Sequence, residues 1–344
     1  MKKWQEYGIT FLGVMLLFII LEICLFTGIV NDYVSGVIVL IGINIIAASS
    51  LNLVTGYMGQ LALGHAGFMA IGAYSSALFM KFIKGLGLTG GNWTTLWMLG
   101  ALIIGGLVAA FFGFIIGGPA LRLKGDYLGI VTLGFGEIIR IAIYNLDFTG
   151  RAKGLRKYPG TINVHMMFWL VVMILVILYF LIRSRHGRAI LAIREDEIAA
   201  EAIGIPTTKY KVFGFTVSAF FAGIAGSTLA FYQMMIDPKK FTFMYSVEIF
   251  IIVVLGGMGS LTGTIVAAII LGILNDFLHV IDDWRLVIYS LLLIIMMIFR
   301  PKGLLGSREF SLVGLIKKLQ KHNKNIEGNK VLRNEEVNSH VIGN

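Results

Sequence analysis

Ser246-Val-Glu-Ile-Phe-Ile-Ile-Val-Val-Leu-Gly-Gly-Met-Gly-Ser260-Leu-Thr-Gly-Thr-Ile-Val-Ala-Ala-Ile-Ile-Leu-Gly-Ile-Leu-Asn-Asp-Phe-Leu278 carries two charged residues, Glu248 and Asp276. A helix crosses a bilayer with about 20 apolar residues. Residues 246–278 are too long for one crossing and too apolar for a watery loop. Gly256, Gly257, Gly259 and Gly263 break the middle of the run. The pattern therefore predicts two apolar helices, 246–257 and 261–278, joined at a glycine-rich break. Outward from this stretch the texture persists, with 57% of the 344 residues hydrophobic and 14% charged. Soluble domains run at about 45–50% and about 25%, so a water-soluble globule of this composition could not cover itself. The chain reads as an all-α polytopic membrane protein.

Ten candidate spans follow: 9–30, 34–54, 60–80, 96–117, 127–146, 166–182, 212–232, 246–257, 261–278 and 285–299. The first is an uncleaved helix, because it is long, carries Glu22 and lacks a small-residue cleavage site. Pro119, Pro159, Pro206, Pro238 and Pro301 all fall outside the spans, so breaks within the membrane fall to glycine. Orientation comes from charge. With ten crossings and a cytoplasmic N-terminus, 19 of the 29 Lys and Arg lie inside and nine outside, and Arg140 is in a span. Dropping 127–146, or fusing 246–278 into one crossing, would put dense basic segments outside, against the positive-inside bias. A re-entrant hairpin at 246–278 keeps the same parity. The +10 net charge belongs to these loops and to the membrane surface, not to nucleic acid. Residues 1–305 form the membrane domain. Residues 306–322 suit an amphipathic segment on the inner surface, and 323–344 suit a disordered cytoplasmic tail.

Enzyme chemistry finds no footing. Gly-Lys does not occur, so the phosphate loop of ATPases is absent. The six histidines have no metal-ligand spacing, and Cys24 is the only cysteine. No metal, cofactor or catalytic residue is expected in this chain.

Candidate functional positions come from three places. Gly56-Tyr-Met-Gly59-Gln60-Leu61 matches Gly256-Gly-Met-Gly259-Ser260-Leu261 at four of six positions. Transporters often carry internal repeats with broken helices at the substrate path. Helix N-termini at Gln60 and Ser260, with His65 beside them, would then face the path. The competing reading is tight packing, favoured by Ala62, Ala66 and Ala70 with Gly64, Gly67 and Gly72. Glu137 and Arg140, at i and i+3, form a second candidate on the path or a structural pair. The third is the charged loop 183–211, where Ala189 to Ile203 predicts a short amphipathic helix ended by Gly204. Such a helix between two spans is a ready docking element.

Gly56 to Phe68, Thr132-Leu-Gly-Phe-Gly-Glu-Ile-Ile-Arg140, Gly187 to Ile205 and Gly256 to Gly263 stand in the order and spacing of a known family. Together they resemble the permease subunits of branched-chain amino acid ABC importers, of the LivM type, over roughly residues 35–305. The resemblance implies a bacterial cytoplasmic-membrane protein with both termini inside. It implies a second, LivH-like permease, two ATPase subunits that bind the ATP, and an extracytoplasmic binding protein delivering leucine, isoleucine or valine. The block at 187–205 resembles the coupling loop that enters the ATPase. The implied coupling residues are Gly187, Arg188, Arg194, Glu195, Asp196, Glu197, Ala200, Glu201 and Gly204. One departure is Arg151, where the family tends to have a second glycine. Related permeases for urea or short amides share these motifs, and an intramembrane enzyme or non-ABC channel is the remote alternative.

Overall fold

The computed structural model describes residues 3–28, 31–123, 125–278, 285–300, 303–304 and 306. The expected amphipathic and disordered tail segments lie outside these, apart from Gly306. Helix α1 (Lys3–Phe26) falls in a different compact unit from Asp32–Glu309. It presents Leu12, Leu16, Leu17, Ile19, Ile20 and Ile23 on its surface.

The larger unit runs α2 (Asp32–Asn52), a π-turn at Leu53–Tyr57, α3 (His65–Gly85), α4 (Asn92–Ala120), α5 (Asp126–Asn145), β1 (Leu155–Arg156) and α6 (Val164–Arg183). It continues with α7 (Arg185–Glu195), α8 (Glu197–Ala202), α9 (Thr207–Gln233), β2 (Met235–Ile236), α10 (Phe243–Gly256), α11 (Leu261–Leu278) and α12 (Arg285–Phe299). Each candidate span overlaps a helix among the described residues. Among the described residues seven helices are long and apolar enough to cross a membrane, and Leu12–Phe26 and Phe243–Gly256 are shorter apolar helices.

Three local expectations are corrected. The span expected from residue 60 begins as a helix only at His65, because Gly59 turns the chain with φ +70° and residues 60–64 run outside any helix. Pro119 lies inside the last turn of α4 rather than after it. The single helix expected over 189–203 is two, split at Asp196. That residue takes an extended backbone, and its carboxylate accepts the N–H groups of Ile198 (2.9 Å) and Ala199 (3.0 Å). A capping aspartate satisfies donors at the start of a new helix and so ends the old one.

Helix α9 is central, packed against α2, α3 and α4. Small residues make the approach possible. A Cβ on Gly72 would enter the Gly223 backbone, and one on Gly226 would enter the Met69 carbonyl. A Cβ on Gly67 would stand 2.8 Å from the Gly136 Cα, which joins α3 to α5. Without a hydrophobic force between helices in lipid, such backbone approach is what holds a bundle together. The small-residue face of 62–72 therefore serves packing.

At one end of the bundle β1 and β2 pair antiparallel, Leu155 against Ile236. Tyr158 locks this clasp by donating to the Ala230 carbonyl at 2.6 Å. Burial pushes its phenol up from the ordinary value, so it stays a donor. Arg151 sits nearby with φ +51° and pairs with Asp147. The arginine thus holds the left-handed conformation that glycine adopts freely.

Candidate functional site

The opposite end of the bundle gathers both glycine breaks. Asn52, the last residue of α2, is fully buried. Its amide nitrogen donates to the Ser260 carbonyl (3.0 Å) and to Thr264 Oγ1 (2.9 Å). Its Oδ1 accepts the Gly259 N–H at 2.9 Å. One side chain thereby ties the first break to the second, across 207 residues of chain. Gly56 packs so closely that a Cβ there would collide with both Asn52 and the Gly259 nitrogen. Gly59 and Gly259, equivalent in the six-residue match, both take positive φ, +70° and +85°.

Arg194, near the end of α7, lies across this junction. A Cβ on Gly59 would be 3.2 Å from its Cγ, and one on Gly259 2.6 Å from its Nη1. The two breaks and the charged loop, three separate signals in the sequence, are therefore one place in the fold.

The loop is built as a rigid bracket. Ser184 caps α7 by accepting the Gly187 N–H at 3.2 Å. A Cβ on Gly187 would strike the Ile182 carbonyl, so only glycine allows the tight turn from α6. Ile190, Ile193 and Ala200 are buried beneath it. Arg188 donates to the Arg183 carbonyl at 2.9 Å. Glu197 pairs with Lys211 of α9 at 2.7 Å, with side chains 26% and 3% exposed. Glu201 accepts from Thr207 Oγ1 at 2.7 Å. Gly204, at φ +84° with open space around it, ends α8 in a left-handed cap, its N–H donating to the Glu201 carbonyl at 2.9 Å. Arg188, Arg194, Asp196, Glu197 and Glu201 each have a contact within the chain, and all but Glu197 remain exposed.

Among these exposed charges the apex also presents apolar groups. Ile198 and Ile203 are each 76% exposed, with Ala199, Ala202, Glu195 and Glu201 around them. Exposed apolar groups rimmed by polar ones mark a contact surface. The sequence puts Ile203 on the apolar face of the expected helix and does not single out Ile198, and a helix that packs on its own protein shows the same residues.

The other candidates sit differently. His65 is 3% exposed and shares a 2.8 Å hydrogen bond with Ser50 Oγ, between α2 and α3. Ser50 donates onward to the Ala47 carbonyl at 2.7 Å. One N–H group at the start of each of α3 and α11 finds a serine hydroxyl. The Ala66 N–H reaches Ser246 Oγ at 3.0 Å, and the Gly263 N–H reaches Ser260 Oγ at 3.1 Å. Buried N–H groups are costly to leave unmade, and serine supplies the partners. Gln60 is half-buried at the junction, beside Gly59. Glu137 Oε2 holds Arg140 Nε at 2.7 Å, while Oε1 accepts the Phe243 N–H at 3.1 Å. Through Glu137 this pair ties α5 to the start of α10. Among the described residues no cluster of His, Cys, Asp or Glu could hold a metal.

Residues 33–299 match the family model described as branched-chain amino acid transport system / permease component. The chain is 39% identical to the high-affinity branched-chain amino acid transport system permease protein LivM of Salmonella typhimurium, covering 76% of this chain and 68% of the relative. It is 26% identical to a probable LivM of Methanocaldococcus jannaschii, over 80% of this chain and 94% of that one. It is also 26% identical to LivH of Escherichia coli, over 75% and 89%. No solved structure matches significantly.

Proposed function

This chain belongs to the permease-component family of branched-chain amino acid ABC transport systems, and from that premise we propose how its parts divide the work of import. It is a transport subunit of the membrane, and in such systems ATP is bound by separate ATPase subunits. The apex between Glu195 and Gly204 seats in a cleft of an ATPase, with Ile198 and Ile203 as anchors and Glu195 and Glu201 at the rim. Closure of the ATPases pulls on α7 and α8. The pull reaches both glycine breaks through Arg194 and the central helix α9 through the Glu197–Lys211 pair. A LivH-like second permease completes the membrane part. An extracytoplasmic binding protein delivers leucine, isoleucine or valine at the clasp end.

The same reading places both termini in the cytoplasm with ten crossings. Its support is that each of the ten candidate spans overlaps a helix among the described residues. The breaks, the bracket and Leu304, which donates to the Leu255 carbonyl at 2.9 Å, share one end. The β1–β2 clasp lies at the other.

The observation that carries the proposal is the pair of isoleucines exposed on an otherwise stapled bracket. Ile198→Glu with Ile203→Glu, co-expressed with the partner subunits, tests it. ATPase should be lost from the purified assembly while the second permease is retained. A double variant that still brings down stoichiometric ATPase overturns the docking assignment.

A further inference from the structure

A small cleft of mixed lining opens between α2, α10 and α11. Its walls carry Asn44, Tyr245, Glu248 and Asn275 among the apolar Ile249, Ile251, Ile252 and Leu271. Asn44 stands eight residues before Asn52, and Glu248 eight before Gly256 at the same junction. At 1.5 Å per residue both lie about 12 Å from that end, inside a hydrocarbon layer about 30 Å thick. Carboxylates at such depth are expensive and mark solute or ion pathways. The cleft measures about 20 Å³, room for one water-sized group.

We propose that this cleft receives the ammonium group of the transported α-amino acid as it passes. The inference rests on the import reading above and assigns that path a specific station. An ammonium group has the size of the cleft and three N–H donors. The Glu248 carboxylate, which keeps a contact of its own within the chain, has acceptor sites for more than one donor, and the Asn44 carboxamide oxygen and the Tyr245 phenol are acceptors beside it. The charge complement is Glu248, whose carboxylate replaces the hydration the ammonium gives up. The cleft has no space for the whole solute, so the station holds its charged end only, which keeps binding weak and release fast.

The test uses the reconstituted complex with its binding protein and ATP in liposomes. Glu248→Gln conserves shape and removes the charge. Losing a charge-assisted hydrogen bond should lower leucine uptake roughly tenfold or more, with the thermal midpoint and subunit assembly of the complex retained. Glu248→Asp should restore part of the uptake. A second readout needs no transport. Asn275→Cys in a Cys24→Ser background should react faster with 2-aminoethyl methanethiosulfonate, which carries an ammonium, than with neutral methyl methanethiosulfonate. Adding Glu248→Gln should cut that preference roughly tenfold. Unchanged uptake in Glu248→Gln, or a reagent preference indifferent to residue 248, overturns the station. Absence of leucine uptake by the unsubstituted complex, with the reagent preference intact, instead overturns the choice of solute.

Discussion

Replacing Glu197 by Gln leaves the Lys211 ammonium, 3% exposed, without its counter-charge, whereas replacing Lys211 by Met leaves Glu197 with 26% of its side chain in solvent. The two halves of one ion pair should therefore have unequal costs. Removing one partner of a buried pair costs about 3–5 kcal/mol when the survivor is fully buried. Partial exposure of the site around residue 197 holds the Glu197→Gln variant to the low end, about 3 kcal/mol. For Lys211→Met the surviving carboxylate keeps much of its hydration and the methionine fills the lysine's volume, so about 1 kcal/mol is expected. The double variant should resemble Lys211→Met alone, a coupling energy of about 3 kcal/mol. At about 2–4 °C per kcal/mol, Glu197→Gln should lower the melting temperature of the purified complex by about 6–12 °C and Lys211→Met by about 2–4 °C. The same order should appear in leucine imported per ATP hydrolysed, because the pair ties the bracket to α9. Equal small shifts for both single variants, or strict additivity in the double, would refute the assignment of Lys211 as a buried charge held by the bracket.

Three further outcomes are expected. Asn52→Leu, which strands the Gly259 N–H and removes the donors to Ser260 and Thr264, should cost about 2–4 kcal/mol and lower the yield of assembled complex on size-exclusion chromatography. Arg151→Gly relieves a left-handed arginine (φ +51°) and loses only an exposed ion pair, so the melting temperature should hold or rise, by no more than about 1 kcal/mol equivalent. A single cysteine at Glu195, in a Cys24→Ser background, should resist membrane-impermeant thiol reagents in intact cells, while one at Lys153 reacts; labelling of Glu195→Cys from outside would reverse the orientation.

How much of this was legible differs from residue to residue. The helices announced themselves because a run of apolar residues as long as a bilayer is thick has few other uses. The charged loop announced itself by contrast with them. Asn52 did not, since one asparagine at the end of an apolar run reads as an interfacial residue. Its value comes from a partner 207 positions away, and no local periodicity carries that. The exposure of Ile198 and Ile203 was hidden for the reverse reason, because it, not their identity, makes them informative. The partners of His65 and of the helix ends beside Gln60 and Ser260 were not legible in the sequence. Polar groups in an apolar stretch suggest a water path, yet Ser50, Ser246 and Ser260 satisfy them within the protein. Serine is common enough in membrane helices that its role as a partner cannot be told from composition.

The junction has a mechanical consequence. Two glycine-rich breaks suggest soft hinges, since glycine has the widest conformational range. Here the range is used to reach positive φ at Gly59 and Gly259, and the resulting shape is then fixed. Asn52 makes three hydrogen bonds across the breaks, Thr264 Oγ1 adds one to the Ser260 carbonyl at 2.8 Å, and Ser260 closes the start of α11. All three side chains are buried, where polar contacts are costly to break. A force arriving through Arg194 therefore meets a plate, not a hinge. The α2 and α10–α11 segments that meet in it should move together, and the same segments carry Asn44, Glu248 and Asn275. Rigid-body displacement of packed elements is a common form of switching in proteins. In this permease it would carry a pull on the bracket to the cleft about 12 Å away with no signal through the intervening side chains one by one.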